Sequence, residues 1–125
     1  VKTRAAKIAG ISRDYPALKI EGDDRARLLV IGWGGTYGSI AEAVRQSIAA
    51  GVPVAHVHLR HLNPLPDDLG EIIDRFENIM VPEVNLGQLS VLLRNRYLRE
   101  VSGFNRVEGK PLKVSELCEA ITGLA

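Results

Sequence analysis

Three short, mostly apolar runs separated by stretches of helical periodicity constrain the fold of this chain more than any other feature. The runs occupy residues 28–31, 54–59 and 79–81, and the second of them is interrupted by His56 and His58. A continuous apolar run such as residues 28–31 is typical of a strand covered on both faces, as in a parallel sheet. The stretches after the first two runs repeat apolar residues at helical spacing, namely Ile40, Ala41, Val44, Ile48 and Ala49, then Leu69, Ile72, Ile73 and Phe76. The pattern predicts a βαβα order.

Local signals predict where these elements begin and end. Gly51 and Pro53 stop the first helix, and the acidic pair Asp67 and Asp68 caps the second. Pro82 closes the third strand. A third helix is predicted to face inward with Leu86, Leu89, Leu93 and Tyr97, and residues 104–107 suggest an edge strand. Ser115 is predicted to cap a last helix, whose inward residues are Leu117, Ala120, Ile121 and Leu124.

Alternating strands and helices of these lengths predict a three-layer α/β/α sandwich around a mostly parallel sheet. A length of 125 residues suits one such domain. We expect residues 1–26 to be a linker or lead-in and residues 27–125 to form the α/β domain. The start at Val1, without a methionine, suggests that the chain is part of a longer protein.

Charge and cysteine content narrow the function. A net charge of +1 does not create a strong positive electrostatic field that would attract nucleic acid or anionic lipid, so neither partner is expected. The single Cys118 cannot form an internal disulfide or hold an iron–sulfur cluster alone, and it reads as a small buried hydrophobe. No apolar run approaches the roughly 18 residues of a membrane span, and no leader opens the chain. These features favour a soluble, cytoplasmic protein.

Unusual residues collect in three loops that follow the predicted strands. These are residues 32–39, 60–66 and 83–88. In open parallel sheets, function gathers beyond the carboxyl ends of the strands, where such loops converge and helix N-termini point inward. We therefore expect the three loops to share one edge of the sheet.

The first loop holds a glycine cluster that suggests a nucleotide site but fits its motifs poorly. Tyr37 stands where the third glycine of G-x-G-x-x-G belongs, and no Gly-Lys-Ser/Thr follows. Arg60 and His61, not an acidic residue, end the second strand, where they would suit a 2′-phosphate. The favoured interpretation is a sharp turn with close backbone approach that offers Trp33, Thr36 and Tyr37 to a neighbour.

Polar side chains near the other two loops have competing interpretations. His56, His58 and His61 are the one metal-like group, although hydrogen-bonded strand residues are the favoured reading. Glu83, Asn85 and Gln88 lack a nucleophile and a partnered base, so loop fixing or subunit contact is favoured over catalysis. The basic residues after them would form a solvated face or pair with an acidic neighbour, namely Arg94, Arg96 and Arg99.

Taken together, the loops resemble a known family. GWGGTYG, HLRHLNPLP and VPEVNLGQL, spaced across a βαβα frame, are similar to the C-terminal domain of the alpha subunit of 2-oxoacid:ferredoxin oxidoreductases, particularly the 2-oxoglutarate type. HLNPLP and PEVNLGQL together are fairly specific. The resemblance runs from about Arg27 to the C-terminus.

The resemblance implies a fold like the C-terminal domain of transketolase. It also implies an enzyme complex that decarboxylates a 2-oxoacid on thiamine diphosphate and magnesium, passes electrons through an iron–sulfur cluster to ferredoxin, and forms an acyl-coenzyme A. The diphosphate cofactor lies mainly between other domains in that family. This chain then serves as a support and assembly module, bound to the remaining alpha-subunit domains and the beta subunit and inactive alone, with no catalytic or metal-binding residue of its own.

Residues at the matching motif positions are expected to face the catalytic domains. These are Gly34, Gly35, Thr36, Tyr37 and Gly38 in the first loop, His61, Leu62, Asn63 and Pro64 in the second, and Glu83, Asn85, Gly87 and Gln88 in the third. A free-standing nucleotide- or dinucleotide-binding domain that uses the loop from Gly32 to Gly38 is the alternative.

Overall fold

Five strands and four helices make up the part of the chain that the computed structural model describes, which is residues 17–60, 62, 65–83, 88–105 and 112–125. The strands are β1 (Glu21–Gly22), β2 (Leu28–Trp33), β3 (Ala55–Leu59), β4 (Asn78–Glu83) and β5 (Ser102–Asn105). The helices are α1 (Tyr37–Ala49), α2 (Leu69–Asp74), α3 (Gln88–Tyr97) and α4 (Val114–Leu124), and a 3-10 turn over Gly34–Thr36 precedes α1.

The strands form a single five-stranded sheet in the order β1-β3-β2-β4-β5. Strands β2 to β5 are parallel, and β1 runs antiparallel to β3. After β2 the chain moves to β3 on one side and then returns to β4 on the other. This reversal opens a crevice beyond the carboxyl ends of β2, β3 and β4, where open α/β sheets bind their ligands.

Helices cover both faces of the sheet, which confirms the predicted three-layer α/β/α sandwich. On one face, Leu69 and Ile73 of α2 and Leu89 and Leu93 of α3 pack on inward residues of the sheet such as Val57. On the other face, Ile40, Ala43 and Val44 of α1 and Leu117 and Ile121 of α4 pack on Leu28, Val30 and Met80. Residues 28–31 are fully buried because the central strand β2 is covered on both sides.

The three apolar runs are strands, as predicted, but β4 continues through Pro82 to Glu83. Proline is tolerated there because β4 has separated from β2 at that point. The β2–β4 pairing ends at Val30 and Met80, whereas Pro82 is in register only with Phe104 of the edge strand β5. The edge strand occupies Ser102–Asn105, and Val107 lies outside the described residues.

Neither Asp68 nor Ser115 provides the predicted side-chain cap. Asp68 occupies the N-cap position of α2 without making a cap hydrogen bond; its Oδ2 instead accepts the Leu18 N–H at 2.8 Å. The N-cap of α4 is Lys113, again without a side-chain cap, so Ser115 is the second residue of that helix. The Asp68 carboxylate holds the lead-in against the domain.

The described part of the lead-in, residues 17–26, packs on the sheet. Leu18 and Ile20 contact the core on the α2 and α3 side, and Glu21–Gly22 adds the strand β1 to one edge. Ala26 is buried. No helix in the described part of the chain is long and apolar enough to cross a membrane.

Candidate functional site

The three unusual loops leave the same end of the sheet because the strands that precede them are parallel. Trp33 ends β2 in register with Leu59, which ends β3, and Glu83 ends β4. We call this carboxyl end of the sheet the rim. Of the residues predicted to line it, His61, Asn63 and Asn85 lie outside the described residues, as do Pro64 and Gly87.

The glycine loop turns sharply from β2 into α1 and leaves space above itself. Gly34 has φ +64°, a left-handed conformation that favours glycine. Thr36 is buried, and its Oγ1 donates to the Trp33 carbonyl at 2.9 Å, which fixes the turn. A Cβ added at Gly34, Gly35 or Gly38 would meet nothing within 4 Å. The chain therefore has room for side chains at Gly35 and Gly38 that it does not use.

Glu83 joins two strands to the start of α3. Its carboxylate is 1% exposed. Oε1 accepts the Leu89 N–H at 2.8 Å and the Trp33 Nε1–H at 3.4 Å, and Oε2 accepts the Ser90 N–H at 3.3 Å and Ser90 Oγ–H at 3.1 Å. Four donors surround one buried carboxylate, and two of them are free N–H groups of a helix's first turn. The predicted role of Glu83 in loop fixing agrees with this geometry.

Two basic side chains, one in the last turn of α3 and one just after the helix, bond to backbone carbonyls. Arg94 Nη2 donates to the Val101 carbonyl at 2.6 Å, and Arg99 donates to the carbonyls of Ile73, Phe76 and Glu77. They line a cavity of about 540 Å³ at the opposite end of the sheet from the rim. The guanidinium of Arg96 lies 5.8 Å from the centre of the Tyr97 ring. These contacts connect α3 to β5 and α2 and place the arginines away from the rim.

A cluster of four side chains lies beside the glycine loop, and sequence reasoning missed one of them. Tyr37 OH donates to Glu21 Oε1 at 2.6 Å, and the Tyr37 ring lies 5.5 Å from the His56 ring and 5.1 Å from the His58 ring. His56 Nδ1 is 3.9 Å from Glu21 Oε2. Glu21 stands in a two-residue strand without hydrophobic alternation, so only its β3 pairing could have revealed it.

The surroundings of this cluster keep its imidazoles neutral. Burial lowers the pKa of His56 to about 4, although the negative charge of Glu21 acts to raise it. Burial also lowers the pKa of His58, and the charge on Arg60 acts in the same direction. The hydrogen bond to Glu21 raises the pKa of Tyr37, which therefore remains a protonated donor. Among the described residues, no partner reaches His56 Nε2 or His58 Nδ1.

Stability should fall as the pH drops from about 6.5 to about 4. His56 has a lower pKa in the folded chain than in the unfolded chain, so unfolding takes up a proton in this window. The free energy of unfolding is unaffected by this group above pH 6.5, where His56 is neutral in both states, and it falls by roughly 3 kcal/mol by pH 4. Urea unfolding at several pH values would measure the slope, and His56→Leu should flatten it. An equal slope in that variant would contradict the assignment.

The described rim combines open glycine backbone, a buried carboxylate that accepts four hydrogen bonds, and neutral imidazoles. The two hydroxyls that donate to carboxylates, Tyr37 to Glu21 and Ser90 to Glu83, fix neighbouring elements to each other. No group of three or more His, Cys, Asp or Glu in the described ranges is placed to hold a metal ion. His61, the third member of the predicted histidine group, lies outside those ranges.

Comparison with known proteins gives a consistent result. No protein-family model matches the chain. It is 45% identical over 120 residues to the 2-oxoglutarate oxidoreductase subunit KorA of Mycobacterium tuberculosis, covering 94% of this chain and 18% of that subunit. It is 32% identical over 114 residues to the alpha subunit of 2-oxoacid:ferredoxin oxidoreductase 1 of Aeropyrum pernix, covering 83% and 17%. The chain is homologous to one segment of these oxidoreductase subunits.

A solved structure supports the same homology. The 2-oxoglutarate:ferredoxin oxidoreductase of Magnetococcus marinus, with 2-oxoglutarate, coenzyme A and succinyl-CoA bound, matches with a TM-score of 0.87 and 26% identity. The match covers 98% of this chain and 22% of that one. The chain thus spans about a fifth of the oxidoreductase chains it matches, and these relatives do not favour a free-standing nucleotide-binding domain.

Proposed function

We propose that this chain is the C-terminal domain of the alpha subunit of a cytoplasmic, thiamine diphosphate-dependent 2-oxoacid:ferredoxin oxidoreductase that acts on 2-oxoglutarate. Residues 27–125 are the transketolase C-terminal-like domain, and residues 1–26 lead into it and add β1 to its sheet. The observation that carries the proposal is the 45% identity over 120 residues to a 2-oxoglutarate oxidoreductase subunit. The whole complex would convert the 2-oxoacid to an acyl-coenzyme A and reduce ferredoxin.

In this proposal the chain assembles the enzyme and does not catalyse alone. Thiamine diphosphate supplies the carbanion chemistry of such enzymes when it is bound. The described residues do not offer a ligand group for its magnesium ion, and one cysteine cannot hold an iron–sulfur cluster. We therefore assign the diphosphate, magnesium and cluster to the remaining alpha-subunit domains and the beta subunit.

The rim is the surface that we assign to this contact. The open space above Gly35 and Gly38 supports this assignment. Glycine lowers the stability of a helix or turn, and at these two positions it does not relieve any clash inside the chain. A neighbouring backbone that approaches closely would use that space. The residues assigned to the contact are Gly34, Gly35, Tyr37, Gly38, His61, Asn63, Asn85 and Gln88, whereas the buried Thr36 and Glu83 fix the loops behind it.

An assay of 2-oxoglutarate-dependent reduction of a low-potential dye tests the proposal. The chain alone should be inactive, and adding it to the beta subunit and an alpha subunit that lacks this segment should restore reduction. Gly38→Ala should stabilise the chain by roughly 0.5–1 kcal/mol yet weaken the restoration, because its methyl group enters the contact. Activity of the chain alone, or no effect of adding it, would overturn the proposal.

Gly123→Ala is the matched control for that variant. Gly123 also lies in a helix, α4, where an added Cβ meets nothing within 4 Å. It should give a similar gain in stability and leave the restored activity unchanged. If both variants restored activity as well as the unsubstituted chain does, Gly38 would not lie in the contact.

A further inference from the structure

The outward side of α3 carries exposed apolar side chains and no charge between the exposed Arg94 and Arg96 that flank it, unlike an ordinary solvent-exposed helix face. Leu89, Ser90 and Leu93 point into the core. On the opposite side, Val91 is 51% exposed and Leu92 is 37% exposed. The exposed residues Gln88 and Asn95 complete that side, so none of its four positions is charged. We call Gln88, Val91, Leu92 and Asn95, together with Leu98 below, the α3 face.

Helix α1, on the other side of the sheet, shows the usual alternative. Its outward side carries Glu42 and Arg45, which form an exposed salt bridge, and Gln46, which donates to Glu42 Oε1 at 3.3 Å. Charged pairs of this kind keep a helix face in water. The α3 face has the composition of a surface that another surface covers, because charged residues are depleted at the centre of such contacts.

Leu98 extends the α3 face and is not explained by the fold of this chain. It directly follows Tyr97, the last residue of α3, and is 90% exposed. Its φ of +52° is left-handed, a conformation in which glycine is preferred at the end of a helix, and its N–H donates to the Arg94 carbonyl at 2.9 Å. Neither backbone preference nor packing accounts for a leucine at this position.

We propose that the α3 face is a second docking surface, covered in the assembled enzyme by an uncharged, apolar surface of the rest of the alpha subunit. This inference rests on the proposed function. The partner is inferred from the relative lengths of the proteins. This chain matches only 18% and 17% of the two related subunits, so most of such a subunit is available to cover the α3 face. The face begins at Gln88, on the rim, so one partner surface can continue from the rim along α3. Leu98 and Val91 are its apolar anchors.

Binding of the chain to an alpha subunit that lacks this segment, with the beta subunit present, tests the surface. Val91→Ser and Leu98→Gly should each weaken binding about tenfold or more, measured by calorimetric titration. Leu98→Gly should also leave the melting temperature of the chain unchanged or higher, because glycine suits the left-handed position. Lost binding in a variant that is at least as stable cannot be attributed to misfolding.

Ile48→Ser is the matched control, because Ile48 of α1 is 40% exposed and lies on the other side of the sheet. It should bind as the unsubstituted chain does. If the unsubstituted chain binds and the two α3 variants bind equally well, the α3 face is not the docking surface, whereas failure of the unsubstituted chain to bind refutes the proposed function itself. A dimer of the chain alone that Val91→Ser abolishes would assign the face to a second copy and overturn the proposal.

Discussion

Replacing Glu83 with alanine should destabilise the fold by about 4 kcal/mol. The carboxylate is buried and accepts hydrogen bonds from Trp33, Leu89 and Ser90. Without it, two buried N–H groups in the first turn of α3 and the partly buried indole N–H lose their acceptor, and unmade buried hydrogen bonds carry the full cost of desolvation. Urea unfolding followed by Trp33 fluorescence would measure the loss.

Ser90→Ala provides the comparison for Glu83. It removes the hydroxyl that donates to Oε2 at 3.1 Å and leaves the Leu89 and Trp33 donors in place, so a loss of about 1 kcal/mol is expected. Trp33 emission should shift in the Glu83 variant even in the folded state, because the indole loses its acceptor. A loss in Glu83→Ala no larger than in Ser90→Ala would show that the carboxylate does not fasten the rim.

Gly22→Ala is the second substitution with a large expected effect, again a loss of about 4 kcal/mol. Gly22 has φ +81°, and a Cβ there would lie 2.6 Å from the Val54 carbonyl oxygen and 3.1 Å from Val44 Cγ1. Backbone strain and a clash with backbone therefore add. Since Gly22 belongs to β1, the variant should release β1 from β3, and hydrogen exchange at residues 21 and 22 should accelerate.

Gly51→Ala separates the two causes of that loss. Gly51 has φ +87°, but a Cβ there meets nothing within 4 Å. Only the left-handed strain remains, so the expected loss is about 1 kcal/mol. Equal losses in the two variants would mean that β1 moves to make room for the methyl group at Gly22 and that its close approach to Val54 contributes little.

The order of the elements was predictable because it depends on local patterns. The runs at 28–31 and 79–81 are continuously apolar, the run at 54–59 is apolar except for His56 and His58, and α1 and α4 repeat apolar residues at helical spacing. Parallel strands then place the loops at one edge by geometry alone, which is why Trp33 and Glu83 were expected at the rim. The resemblance of the loops to an oxidoreductase family came from the same segments.

The side-chain contacts were not predictable because their partners are distant in sequence. Asp68 accepts from Leu18, 50 residues away, and not from its own helix, which no local capping rule detects. Tyr37 donates a hydrogen bond to Glu21, which lies in a strand of two residues that is too short to show hydrophobic alternation. The sequence pattern predicts a solvated or ion-paired Arg99, yet Arg99 donates to three carbonyls in the last turn of α2 and just after it. Tertiary packing decides each of these contacts.

The antiparallel direction of β1 determines where the polypeptide enters the domain. Because Glu21 is opposite His56 and Gly22 is opposite Ala55, the chain runs from the carboxyl ends of the parallel strands toward their amino ends. Leu18, held by Asp68 at the start of α2, therefore lies at the rim end. The polypeptide thus joins the domain on the side that carries the proposed docking surface. Covalent connection on that side raises the effective concentration of surfaces that dock there, so weak individual contacts suffice to hold them together.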